Sequence, residues 1–294
     1  MTEDLNGYRV VAVHAHPDDE AISTGGALAD LARRGAEVTV ITCTLGEQGE
    51  VIGDPYQHLV ADHSDQLGGF RIGELRRSLR ILGAQGSFLG APGRFRDSGM
   101  VGDPAQDNPR AFVNSGAAAV ELLAAEFERL RPHLVITYGP DGGYGHPDHI
   151  RAHEITHLAA AQTGVPRVLW AVTDTADLQA GLASISTVPA GWRAAKPEEL
   201  ASVDSSDLAI TLDDHAYHAK RASMQAHATQ VWIADGSISE VNPVAAIGSC
   251  DGLVLWALSN LIAQPLLRRE HYQFGAGVAL PEGATGLLDG LSRG

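Results

Sequence analysis

Residues 9–20 read Arg9-Val-Val-Ala-Val-His14-Ala-His16-Pro-Asp18-Asp19-Glu20, and the fold class turns on how this stretch divides. Its first half is a short apolar run rich in β-branched residues, the pattern of a parallel strand buried on both faces. Over residues 22–34 the spacing becomes helical, with Leu28, Leu31 and Ala32 in phase, and Gly35 is placed to end the helix. Residues 37–44, Glu-Val-Thr-Val-Ile-Thr-Cys-Thr, return to a strand pattern. Strand, helix and strand make a β-α-β unit with a right-handed crossover, so the chain opens as α/β.

Outward from this unit the alternation continues. Helices are predicted over 72–82, 117–130 and 147–161, and strands near 87–89 and over 133–138 and 167–173. The expected catalytic core is therefore 1–175, a mostly parallel sheet flanked by helices. Over 176–294 the signal weakens to a helix around 217–229, a turn at Asp235-Gly236, an apolar segment around 253–262 and a Gly-rich end. This C-terminal elaboration is expected to pack on the core or form a small cap. Two Gly- and Asp-rich connections, roughly 46–69 and 90–115, are longer than compact domains carry without a use, and both are read as walls of a site. Neither internal repeats nor heptads are present.

The bulk composition excludes several function classes. A chain of 294 residues with 44% hydrophobic and 19% charged residues can bury a core. A net charge of −15 argues against nucleic acid as a partner, because phosphates need a basic face. Two cysteines, Cys43 and Cys250, make neither a disulfide framework nor a cysteine metal site. The polar start and the absence of any run of about 18 apolar residues argue against export and against a membrane partner, so a cytoplasmic location is expected.

Ligands of open α/β sheets bind beyond the carboxyl ends of the strands, where His16-Pro-Asp18-Asp19 falls. A second cluster, Tyr144-Gly-His146-Pro-Asp148-His149, follows the strand ending near residue 138 and opens a helix. A catalytic zinc needs three nitrogen or oxygen ligands and an open position. His16, Asp19 and His149 would supply the ligands, leaving Asp18 as general base toward the activated water. His146 would protonate the leaving amine or polarise the carbonyl, Asp148 would orient His146, and Tyr144 would stabilise the oxyanion. Spacing alone leaves the exchange of Asp18 and Asp19 open. His14, His153 and His157 are assigned to packing or supporting positions.

The pair His16-Pro-Asp-Asp-Glu20 and His146-Pro-Asp-His149 resembles the signature of the LmbE-like, or PIG-L type, family of zinc N-deacetylases. Within it the chain is most similar to the branch acting on N-acetylglucosaminyl-inositol. That likeness runs through Thr42-Cys-Thr-Leu-Gly-Glu47, Arg71-Ile-Gly-Glu-Leu75, Arg96-Asp-Ser-Gly-Met100 and Ala226-His-Ala-Thr-Gln230. The resemblance implies a Rossmann-like sheet, one zinc per subunit, and release of acetate from a small amino-sugar inositol substrate in mycothiol biosynthesis. It also implies substrate contacts from Arg71 and Asp97, and Glu50 in the first long loop is a comparable candidate.

Three other readings differ in what they require. The sister amidases that cleave mycothiol S-conjugates share the metal machinery but tend to carry a lysine after the first motif, where this chain has Ile22-Ser23-Thr24-Gly25. Two histidines and a carboxylate also describe a non-haem Fe(II) oxygenase, and Fe2+ can replace zinc in such a site; the additional His and Asp favour hydrolysis. A dinucleotide-binding module lacks its phosphate cradle, since no G-x-G-x-x-G follows the first strand.

Overall fold

The computed structural model describes residues 4–293. In chain order its elements are β1 (Arg9–His14), α1 (Asp19–Arg33), β2 (Glu37–Thr42), α2 (Leu67–Leu82), β3 (Gln85–Phe88), α3 (Gly116–Leu130), β4 (Leu134–Thr137), α4 (Pro147–Thr163) and β5 (Arg167–Val172). There follow α5 (Thr175–Ala183), β6 (Ile185–Thr187), β7 (Arg193–Ala194), β8 (Leu208–Thr211), α6 (Asp214–Ala226), β9 (Trp232–Ile233), β10 (Ser249–Cys250), β11 (Leu255–Ala257), β12 (Ile262–Pro265) and β13 (Arg269–Gly277). The seven-stranded main sheet runs β3-β2-β1-β4-β5-β13-β8.

Strands β1 to β5 are parallel, with Val10 opposite both Val38 and Leu134. The apolar character of β1 has the expected cause. Val10 and Ala12 face a core shared with Leu28 and Leu31 of α1 and Leu75 and Leu79 of α2. Val11 and Val13 face the opposite core, with Leu123 and Phe127 of α3 and Ile155 of α4. Each successive residue is thus buried on alternate faces. The chain moves from β1 to β2 and β3 on one side and then to β4 and β5 on the other. The switch point lies between β1 and β4, where an open sheet leaves a crevice.

Helix α1 begins at Asp19, earlier than the apolar spacing indicates, because its first turn carries the acids of the motif. Helix α2 likewise starts at Leu67. The residues beyond 175 contribute to the main sheet itself: β13 pairs antiparallel with β5, and β8 antiparallel with β13. They also build a four-stranded sheet, β7-β12-β11-β9, and α6, which packs on α1 and α2. Arg167 holds the end of the chain, donating to the carbonyls of Val278, Ala279, Leu287 and Asp289 at 2.8 to 3.0 Å. No helix among the described residues is long and apolar enough to cross a membrane.

Candidate metal centre and active site

Both His-Pro-Asp clusters sit on one rim, one beyond β1 and the other beyond β4. They line a cavity of about 950 Å³ together with Arg71 and Asp97. Both long connections supply its walls, through Gln48 to Glu50 and through Asp97 to Asp103.

Three side chains converge on one point. His16 Nδ1 lies 3.3 Å from His149 Nε2, and Asp19 places Oδ2 3.5 Å from His16 Nδ1 and Oδ1 3.5 Å from His149 Nε2. Ligands bound tetrahedrally at about 2.0–2.1 Å stand about 3.3–3.4 Å apart, so the triangle is close to the size that a four-coordinate divalent metal ion takes. The second nitrogen of each ring decides what the first presents. His149 Nδ1 is 3.1 Å from the carbonyl of Gly142 and must donate to it. His16 Nε2 is 3.3 Å from Asp148 Oδ2 and 3.5 Å from Asp97 Oδ1, so it too carries its proton outward. Two lone pairs and a carboxylate are then left facing a common centre, the donor set a divalent cation requires. Burial opposes charge on His16, yet Asp97, Asp148 and Asp19 raise its pKa well above the usual imidazole value. The cage therefore attracts positive charge. His149, lowered to about 4 by burial, stays neutral, as a ligand must.

Local sequence sets these positions. Gly142 has φ +68, and a Cβ there would stand 2.7 Å from His149 Cβ, so only glycine lets its carbonyl reach the ring. His146 is the N-cap of α4, and its Nδ1 accepts the Asp148 N–H at 3.1 Å, which leaves the ring proton on Nε2 of a side chain that lines the cavity. Burial, with His16 and His149 adding to it, lowers His146 to about 3, so it is a neutral donor.

Asp18 lies outside the cage. Its carboxylate is 3.2 Å from Arg71 Nη2, and its backbone has φ 118 and ψ −29, a left-handed conformation that costs a non-glycine residue about 1–3 kcal/mol. Burial pushes its pKa up to about 7, with Arg71 pulling down and Asp19 pushing further up. Arg71, expected to contact substrate, is 3% exposed. It also donates to the carbonyls of Pro17 and Gly46, and a Cβ on Gly46 would collide with its guanidinium. Asp97 is buried, accepting the N–H groups of Gln48 and Gly99 at 3.2 and 2.9 Å. Glu50 and Tyr144 are exposed on the cavity wall, Tyr144 lying edge-on to His149 with ring centroids 5.0 Å apart.

Asp148, expected to orient His146, instead turns its carboxylate away from that ring, accepting from Ser98 N at 3.0 Å and facing His16 Nε2. The cause is the cap: Asp148 spends its backbone N–H on His146, and its side chain projects the other way, across the switch point. Sequence reasoning also passed over Tyr138. Its hydroxyl donates to Asp19 Oδ2 at 2.7 Å and accepts from Ala15 N at 2.8 Å, and its ring stacks on His149 at 4.1 Å. Its place just beyond β4, beside β1, is the signal that would have found it. His14, His153 and His157 are absorbed by Thr24, by the Tyr138 carbonyl and by Trp170. A further acid–histidine group, Asp174, Asp177 and His271, has its donors committed, Asp174 capping α5 and Asp177 pairing with Arg269 and His271.

A family model described as PIG-L, GlcNAc-PI de-N-acetylase, matches residues 11–160. The chain is 68% identical over 296 residues to the 1D-myo-inositol 2-acetamido-2-deoxy-alpha-D-glucopyranoside deacetylase of Corynebacterium efficiens, covering 99% of this chain and 95% of that one. In fold alone it resembles the N,N'-diacetylchitobiose deacetylase of Pyrococcus horikoshii, with TM-score 0.50, 19% identity, and coverage of 75% of this chain and 70% of that one. It also resembles the 4-carboxy-2-hydroxymuconate hydratase of Pseudomonas putida KT2440, with TM-score 0.51, 17% identity, and coverage of 94% and 100%. A deacetylase and a hydratase share this fold, so activity has to be argued from the site. Matched by the family model over half its length, and by a curated relative over nearly all of it, the chain belongs to the PIG-L family of GlcNAc-PI de-N-acetylases.

Proposed function

We propose that the protein hydrolyses the acetamide of N-acetylglucosaminyl-inositol, giving glucosaminyl-inositol and acetate, as a cytoplasmic zinc enzyme of mycothiol biosynthesis. The single observation that carries the reaction type is the triangle of His16 Nδ1, His149 Nε2 and the Asp19 carboxylate, flanked by Asp18 outside the cage. The substrate follows from the relative that is 68% identical over almost the whole chain.

His16, Asp19 and His149 would hold the ion. When bound, a zinc ion there supplies Lewis acidity toward a carbonyl and lowers the pKa of water. Asp18, poised near neutrality, takes the proton of the attacking water. His146 Nε2–H hydrogen-bonds the acyl oxygen as it gains charge, and the Tyr144 hydroxyl adds a second donor from the rim. Cleavage of the C–N bond leaves acetate on the acyl side, and the proton taken by Asp18 accompanies the departing amine. Asp148 and Asp97 keep the His16 ring turned so that Nδ1 faces inward. Arg71, Asp97 and Glu50 line the cavity where the sugar and inositol hydroxyls would lie.

The test measures amine release from N-acetylglucosaminyl-inositol and, in parallel, from a mycothiol S-conjugate, with chelated enzyme before and after zinc. Zinc-dependent release chiefly from the first substrate is expected. Preference for the conjugate would move the protein to the amidases, and metal-independent or absent release from both would undo the hydrolase reading.

A further inference from the structure

The late segment Ala226-His-Ala-Thr-Gln230 lies more than 200 residues from the first motif in sequence, yet its side chains run beneath it. His227 is fully buried, with Nε2 2.7 Å from Glu20 Oε1. The same Glu20 oxygen accepts from Ser78 Oγ at 2.5 Å. The other, Oε2, accepts the backbone N–H of Asp18 at 3.0 Å. Thr229 donates its N–H and hydroxyl to Glu74 at 2.9 and 2.7 Å, and Gln230 donates to the carbonyl of Glu50.

Asp18 carries the strained φ of 118 at the start of α1, and a conformation of that kind persists only where its surroundings over-determine it. Three constraints meet there: Arg71 holds the carbonyl of Pro17 and the Asp18 carboxylate, the first turn of α1 holds the Asp18 carbonyl, and Glu20 holds the N–H. Glu20 can keep that N–H only while its other oxygen is fixed, and His227 and Ser78 fix it. We infer that Glu20, His227 and Ser78 form a positioning relay that holds the Asp18 backbone in its strained conformation and thereby aims the Asp18 carboxylate at the cavity. None of the three lines the cavity, so they act through Asp18.

The inference rests on the deacetylase reading, with Asp18 as base. In zinc-loaded full-length enzyme, His227→Leu is expected to lower kcat on the order of 10- to 100-fold, the effect of a misplaced catalytic group. KM and zinc per chain should stay within twofold. His227→Gln, whose amide N–H can replace Nε2–H, should return kcat to within about fivefold of the parent. A crystal structure of His227→Leu should show Asp18 φ relaxed and the His16, Asp19 and His149 cage unchanged. If His227→Leu does not fold, Ser78→Ala removes one bond to Glu20 and should lower kcat about 3- to 10-fold with zinc content unchanged. Parental kcat in the folded variant, no recovery in His227→Gln, or loss of zinc along with kcat would each overturn the relay. Asp18→Asn run beside them separates the two readings. If Asp18→Asn is inactive while the His227 and Ser78 variants match the parent, only the relay falls; if Asp18→Asn is itself fully active, the assignment of the base falls.

Discussion

His16 Nδ1 and His149 Nε2 face each other across 3.3 Å with their opposite nitrogens tied to Asp148 and to the Gly142 carbonyl. Two ring lone pairs at that distance repel unless a proton or a cation joins them. Chelation should therefore lower the melting temperature, and zinc should restore it as metal rises above its dissociation constant, contributing about 2.7 kcal/mol at a hundredfold excess. His149→Ala should lose zinc and turnover together. Scanning calorimetry with metal analysis checks both, and an unchanged melting temperature on chelation would count against the cage.

Asp148 supports His16, so Asp148→Ala should weaken zinc binding about 10- to 100-fold. Competition with a chromogenic chelator measures this. Parental zinc affinity with a selective loss of kcat would instead return Asp148 to a role on His146.

The proposed base, Asp18, can take a proton only when ionised, and burial raises its pKa to about 7. As pH falls through that value the carboxylate is protonated, so kcat/KM should fall on the acid side and level off above it, with a bound cation moving the limb lower. Asp18→Asn should keep zinc, lose about 10²- to 10⁴-fold in kcat and abolish the limb. Arg71 attracts the ionised form, so Arg71→Met should move the limb to higher pH. A pH–rate series on the three proteins decides this.

Arg167 is fully buried and donates only to backbone carbonyls near the end of the chain. Arg167→Met should leave four carbonyls without this donor and destabilise the protein by about 3–5 kcal/mol, with kcat of the folded fraction unchanged. Urea unfolding alongside kinetics would show whether the effect is confined to stability.

The sequence by itself determined the α/β opening, the placement of both His-Pro-Asp clusters beyond strand ends, and the walls supplied by the two long connections. Burial on both faces of a parallel strand, helical spacing and cap residues are written in neighbouring residues, so they can be read without a partner. His153 and His157, read as packing or supporting residues, are half-buried and hydrogen-bond with the Tyr138 carbonyl and Trp170. The tertiary structure alone decided the rest. The entry of β13 and β8 into the main sheet depends on antiparallel pairing of β13 with β5 and of β8 with β13, and nothing in the two strands names their neighbour. Whether Asp148 serves His146 or His16, and that Tyr138 grips Asp19, is settled by side-chain direction across the crevice between β1 and β4. The contact of His227 with Glu20 joins residues 207 apart in the chain. A carboxylate in a motif announces its chemistry locally, but its partner is chosen by packing.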